Sequence, residues 1–173
     1  MEYKLEEFNN FTKKIFNNKN IKKILLINPP DVDSSLFNFD SAIRGRNMNY
    51  PPYGLGLISS HLDLLKIHNK ILNLNHIILS DVQKSKSEKN FSFNKIIKNA
   101  VNLEIENYKP DFVLITCMFS QTHTSLINVI HELRLICDTP IAIGGVHVTG
   151  SMSDKKTKTK FLEDIKGVNY IFL

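Results

Sequence analysis

The sequence predicts an α/β fold built on a parallel sheet, and three observations carry that expectation. Short runs at Ile24 to Ile27, Phe112 to Thr116 and Ile141 to Ile143 read as strands, the first an unbroken apolar run with the pattern of a strand buried on both faces. Segments with apolar residues at helical spacing lie between these runs. Turn residues close the runs, with Asn28-Pro29-Pro30 after the first and Gly144-Gly145 after the last.

Ile24 to Ile27 is the first strand. The Pro51-Pro52 pair opens a helix over Tyr53 to Lys66, which carries Leu55, Ile58, Leu62 and Leu65 on one face. Lys70 to Leu79 reads as a second, half-exposed strand near an edge, because Asn73 and Asn75 alternate with Leu72, Leu74 and Ile77. Asp81 to Asn90 is polar and reads as a surface loop. Ile97, Val101 and Ile105 then line a helix that ends near Tyr108, ahead of Pro110. Phe112 to Thr116 is the third strand, and Leu126, Val129, Ile130, Leu133 and Ile136 mark the next helix. Ile141 to Ile143 is the fourth strand. An amphipathic segment around Phe161, Leu162 and Ile165 leads through Gly167 to a fifth strand, Val168 to Leu173.

This alternation predicts a Rossmann-like, flavodoxin-like sheet of five parallel strands in the order 2-1-3-4-5 with helices on both faces. Residues 1–20 read as an N-terminal helical extension and residues 21–173 as the domain. With 173 residues and 42% hydrophobic content, the chain is long enough for one core.

Composition excludes several function classes. The net charge of +5 comes from nineteen Lys and only three Arg, scattered over predicted helix faces and loops. Lys155 to Lys160 has no interleaved aromatics for base stacking, which argues against nucleic acid. Nineteen Asn and twenty-one Ile against three Ala mark a general compositional drift that accounts for the lysines without a partner. No apolar run approaches the ~18 residues of a membrane span, and residues 1–20 lack a signal peptide's apolar stretch, so a cytoplasmic chain without a membrane partner is expected. Cys117 and Cys137 fall on different elements and form neither a disulfide framework nor a thiolate metal motif; they read as reduced thiols.

Ligands of open parallel sheets sit beyond the carboxyl ends of the strands. Function is therefore expected in three loops: Asn28 to Tyr53, Cys117 to Thr122, and Gly144 to Gly150. The first is long enough to imply a functional role or disorder, and its Pro and Tyr content favours function.

These loops carry, in order, Asn28-Pro29-Pro30, Tyr50-Pro51-Pro52-Tyr53-Gly54-Leu55-Gly56, Ile115-Thr116-Cys117-Met118-Phe119-Ser120 and Ile143-Gly144-Gly145-Val146-His147-Val148-Thr149. Together, over roughly Ile24 to Leu173, they resemble the cobalamin-binding domain that precedes the catalytic barrel in B12-dependent radical S-adenosylmethionine (SAM) proteins. The resemblance implies a cobalamin-binding module whose site includes Pro29, Pro30, Tyr53, Gly54, Gly56, Thr116, Cys117, Ser120, Gln121, Thr122, Gly144, Gly145, His147 and Thr149. It implies no catalytic residue in this chain. It also implies that the chain ends before the radical SAM barrel, which would act in cis or in trans.

The residue chemistry is compatible. A corrin is a broad, mostly neutral ring edged with amides, so its site needs close backbone approach and hydrogen-bonding groups more than charge. Gly54, Gly56, Gly144 and Gly145 permit that approach. Thr116, Ser120, Gln121 and Thr122 offer donors and acceptors, and the helix start near Tyr53 offers unpaired N–H groups. The same glycines and hydroxyls serve equally as turn and capping residues. His147 reads either as a ligand-facing loop residue or as a solvated one. His123 reads as a helix cap, and Cys117 as a buried thiol. Arg44 and Arg46 suit a nucleotide phosphate or plain solvation.

Two absences refine the expectation. No Asp is followed two residues later by His, so the Asp-x-His-x-x-Gly motif that supplies a lower axial histidine is missing and cobalamin is expected without a protein histidine ligand. With only two cysteines, the chain lacks the three-thiolate motif for a [4Fe-4S] cluster that reduces SAM, and the resemblance implies that a separate catalytic domain carries it. Two other classes remain open. A flavin- or nucleotide-binding flavodoxin-like module is disfavoured because no Gly-x-Gly-x-x-Gly follows the first strand. A cofactor-free interaction domain of the receiver type would need a phosphoacceptor Asp where Thr116-Cys117-Met118 stands.

Overall fold

The computed structural model describes Lys13, residues 21–85 and residues 87–173. The expected helical extension, residues 1–20, lies outside these apart from Lys13. Five strands form one parallel sheet in the order β2-β1-β3-β4-β5. They are β1 (Lys23–Asn28), β2 (His68–Asn73), β3 (Phe112–Thr116), β4 (Ile141–Gly144) and β5 (Tyr170–Ile171). The helices among the described residues are α1 (Phe39–Ile43), α2 (Tyr53–Leu64), α3 (Leu74–Lys84), α4 (Phe93–Tyr108), α5 (His123–Ile136), α6 (Val146–Ser153) and α7 (Lys155–Asp164). The expected Rossmann-like fold and strand order are what the chain adopts.

Strand register explains how the sheet is filled. Ile24 pairs with both Asn69 and Phe112, Val113 with Ile141, and Ala142 with Tyr170. Alternate residues Leu25, Ile27, Val113, Ile115, Ile141 and Ile143 share one core with Ile78, Ile97, Val101, Leu126, Val129, Leu133, Val148 and Phe161 from α3 to α7. Leu26 and Leu55 are buried outside that cluster, which puts α2 on the opposite face. The reversal of direction between β1→β2 and β2→β3, with right-handed crossovers, requires this division.

Four sequence expectations need correction. The second strand ends at Asn73, not Leu79, because the Asn73 side chain accepts from the His76 N–H at 3.1 Å and caps a helix there. Leu74, Asn75, Ile78 and Val82 are then buried at helical spacing. The polar segment Asp81 to Asn90 is only partly loop, since α3 runs to Lys84 and Glu88–Asn90 forms a 3₁₀ turn. The first long loop contains α1, capped by Asn38, whose side chain accepts from the Ser41 N–H at 2.7 Å. The fifth strand is two residues long, because Gly167 (φ +98°) turns the chain and the Val168 N–H bonds back to Ile165.

Arg134 fixes that short strand. Its guanidinium donates to the carbonyls of Gly167 (2.8 Å), Cys137 (3.2 Å) and Thr139 (2.8 Å), and to Asn169 Oδ1 (2.7 Å). Asn169 Oδ1 also accepts from Ile141 N, locking β5 to β4.

Candidate functional site

Three turns and one helix start meet beyond the carboxyl ends of β1, β3 and β4. After β1, Pro29 and Pro30 are buried and Asp31 meets Asn75 on α3. The contact is reciprocal: Asn75 Nδ2 donates to Asp31 Oδ2 at 2.8 Å, and Asp31 N donates to Asn75 Oδ1 at 3.2 Å. Asn75 Nδ2 also reaches the Met48 carbonyl at 3.2 Å, and Ser125 Oγ donates to the Val32 carbonyl at 2.9 Å. These bonds, with the stacked Phe37 and Phe91 rings, give the long loop a single path.

After β3, Cys117 is 1% exposed and its thiol shares a hydrogen bond with Thr122 Oγ1 at 3.1 Å. Burial pushes the thiol above its ordinary range, so Cys117 is a packing residue rather than a nucleophile. After β4, Gly145 has φ +115° and starts α6. A Cβ there would lie 2.5 Å from the Cys117 carbonyl oxygen, so the turn demands glycine for its own packing. Gly54 differs, because a Cβ built on it meets nothing within 4 Å. It sits in the first turn of α2, whose N-cap Pro52 supplies no side-chain hydrogen bond.

Two adjoining cavities open here. One, of about 360 Å³, is lined by the β1 turn, Tyr50 to Leu55, Thr116, Met118, Phe119 and Thr122. The other, of about 710 Å³, is lined by α2, Leu114, Thr116, Met118, Gly144 to Val146, Thr149, Gly150, Phe172 and Leu173. They share Gly54, Leu55, Thr116 and Met118. Both volumes fall within the ~300 to 1,000 Å³ typical of small-molecule sites. Large apolar side chains stand exposed around them, Tyr53 at 77% and Phe119 at 56% among them.

Of the residues expected from sequence, Pro29, Tyr53, Gly54, Thr116, Thr122, Gly144, Gly145 and Thr149 line these cavities. Pro30, Gly56, Cys117, Ser120, Gln121 and His147 do not. Ser120 and Gln121 are exposed on the 3₁₀ turn before α5, with Gln121 Nε2 reaching the Asp31 carbonyl at 3.4 Å. Gly56 faces open space on α2.

His147 belongs to a different cluster. The segment after Gly145 is a helix rather than a loop, so Val146 faces the cleft and His147 turns about 100° away from it. Its Nε2 meets His123 Nδ1 at 3.2 Å, while His123 Nε2 lies 3.2 Å from Asp164 Oδ2 and Phe161 packs on both rings. Burial first, and His123 second, hold the His147 imidazole below its ordinary pKa. His123 opens α5 but is engaged in this cluster and caps nothing.

Sequence reasoning missed Asp31, the carboxylate of the smaller cavity, whose pKa burial raises. It also left out Asn28, Tyr50, Met118, Phe119 and Phe172, although four of these stood in the quoted motifs. An exposed Met-Phe pair directly after a buried strand was the available signal. Among the described residues, no group of three or more His, Cys, Asp or Glu is placed to hold a metal ion, and no helix is long and apolar enough to cross a membrane. No protein-family model matches this chain, and no curated protein matches it.

Proposed function

We propose that this domain binds a cobalamin across the carboxyl ends of β1, β3 and β4, without a protein histidine ligand, as the cofactor-carrying module of a radical SAM enzyme. The observation that carries the reading is the pair of joined apolar cavities, wide and open, with no histidine among the described residues that line them. A broad neutral macrocycle suits such a trough better than a compact charged ligand does.

The residues present fit the group. Gly54 leaves open space above α2, with nothing within 4 Å of a Cβ built on it. Asn28, Thr116 and Thr149 offer hydrogen-bonding groups for ring-edge amides. Tyr50, Tyr53, Met118 and Phe119 would cover apolar ring surface and exclude water. His147 is committed to His123 and is not among the cavity-lining residues, which supports the expectation, made from the missing Asp-x-His-x-x-Gly motif, of no axial imidazole. Bound cobalamin would supply the cobalt chemistry of methyl transfer or radical reactions, while this chain binds and orients it. The [4Fe-4S] cluster and SAM would belong to a catalytic domain in cis or in trans, since two cysteines cannot ligate such a cluster.

The test is an absorbance and calorimetric titration of the purified chain with hydroxocobalamin, run beside flavin mononucleotide. Saturable cobalamin binding with no flavin binding is expected. Absence of cobalamin binding, or flavin binding in its place, overturns the reading.

A further inference from the structure

We infer that Asp31 is a specificity-determining residue that selects a ligand edged with N–H donors, such as a carboxamide-bearing corrinoid, and rejects one edged with carboxylates; this rests on the proposed cobalamin site. Asp31 lines the smaller cavity with Tyr50, Pro51, Met118 and Phe119. Its orientation is fixed from behind. Asn75 is 4% exposed and fully engaged: Oδ1 accepts from Asp31 N, and Nδ2 donates to Asp31 Oδ2 and to the Met48 carbonyl. Asn75 therefore cannot turn to satisfy both carboxyl oxygens, and Asp31 Oδ1 has no hydrogen-bond partner among the described residues.

Among the described residues no Lys, Arg or His lines either cavity, so no lining cation compensates the carboxylate. An acceptor left open beside apolar walls is stabilised by a ligand donor and opposed by a second acceptor. The raised Asp31 pKa agrees with a carboxyl partly withdrawn from water. A ligand carboxylate at this point would set two negative charges together where water screens them weakly. The whole-chain charge of +5 acts in the opposite direction, drawing polyanions toward the protein. Preference for the amide form would thus arise from the local carboxyl and not from net charge.

The experiment compares cobinamide, whose edge groups are amides, with cobyrinic acid, whose edge groups are carboxylic acids, by titration into the full chain at about pH 7.5 and roughly physiological salt. The wild type is expected to bind cobinamide at least about tenfold more tightly. In D31N, where the new amide both donates and accepts, the ratio is expected to fall to within about twofold through a gain in cobyrinic acid affinity. D31S serves as a second variant should D31N melt below the wild type. Equal binding of the two corrinoids by the wild type, or an unchanged ratio in the folded variants, overturns the role of Asp31 and leaves the cobalamin site standing. Failure of both corrinoids to bind overturns the site itself and the inference with it.

Discussion

Replacing Gly145 by alanine separates a glycine required by the fold from one required by a ligand. Its φ of +115° and ψ of 171° lie where side-chain-bearing residues are strained, at a cost of about 1 to 3 kcal/mol. The added Cβ would also fall 2.5 Å from the Cys117 carbonyl oxygen and 3.0 Å from its carbon. That backbone has no slack, since Cys117 N donates to the Gly144 carbonyl at 2.8 Å and the Cys117 carbonyl accepts from His147 N at 3.2 Å. Displacing it would weaken both bonds, each worth about 0.5 to 1.5 kcal/mol. The combined loss is about 2 to 6 kcal/mol. At about 2 to 4 °C per kcal/mol for a domain of this size, a central loss lowers Tm by roughly 8 to 16 °C. Calorimetric melting of the apo protein reads this directly. A Gly145→Ala protein melting within about 2 °C of wild type would refute the steric argument and return Gly145 to the ligand.

Other outcomes follow from the same geometry. Gly54→Leu places a side chain on the floor shared by the two cavities, and should lower cobalamin affinity by more than about tenfold with apo Tm preserved; equal affinity would move the ligand elsewhere. Arg134→Ala removes four hydrogen bonds that seat β5 and should cost about 2 to 4 kcal/mol in denaturant unfolding, with faster amide exchange at Phe172. A loss below about 0.5 kcal/mol would count against that network. The folded state holds the His147 pKa below 6.5 and so binds fewer protons than the unfolded chain near that pH. Its stabilisation is complete above pH 6.5 and is lost as pH falls through the lowered folded value. His147→Gln should therefore flatten the fall in Tm between about pH 7.5 and 5, and parallel curves for the two proteins would contradict this.

The legible part of the fold was the part set by local pattern. β1, β3 and β4 are written as apolar runs because each is buried on both faces, and the helix periodicities of α4 and α5 follow from one-sided burial, whereas on α2 only Leu55 is buried and Ile58 and Leu65 of the expected apolar face stand exposed. Leu72-Asn73-Leu74-Asn75 was misread because an alternating polar pattern suits both an edge strand and a strand-to-helix cap. Only the Asn73 side chain on His76 N decides between them. The cavity-lining Thr116, Gly54 and Tyr53 were legible because a parallel sheet places its site at strand ends. Asp31 was not, since its partner Asn75 is 44 positions away and joins it only after α3 docks. His147 was misplaced because a Gly-Gly-x-His pattern does not state where the following helix starts, and one residue of phase separates the cleft from the buried cluster.

The central claim is that the trough holds a cobalamin with no imidazole from the chain. Electron paramagnetic resonance of the cob(II)alamin complex tests it most directly. A signal without nitrogen superhyperfine splitting from a protein histidine is the predicted result; such splitting, absent from a His147→Gln protein, would contradict it.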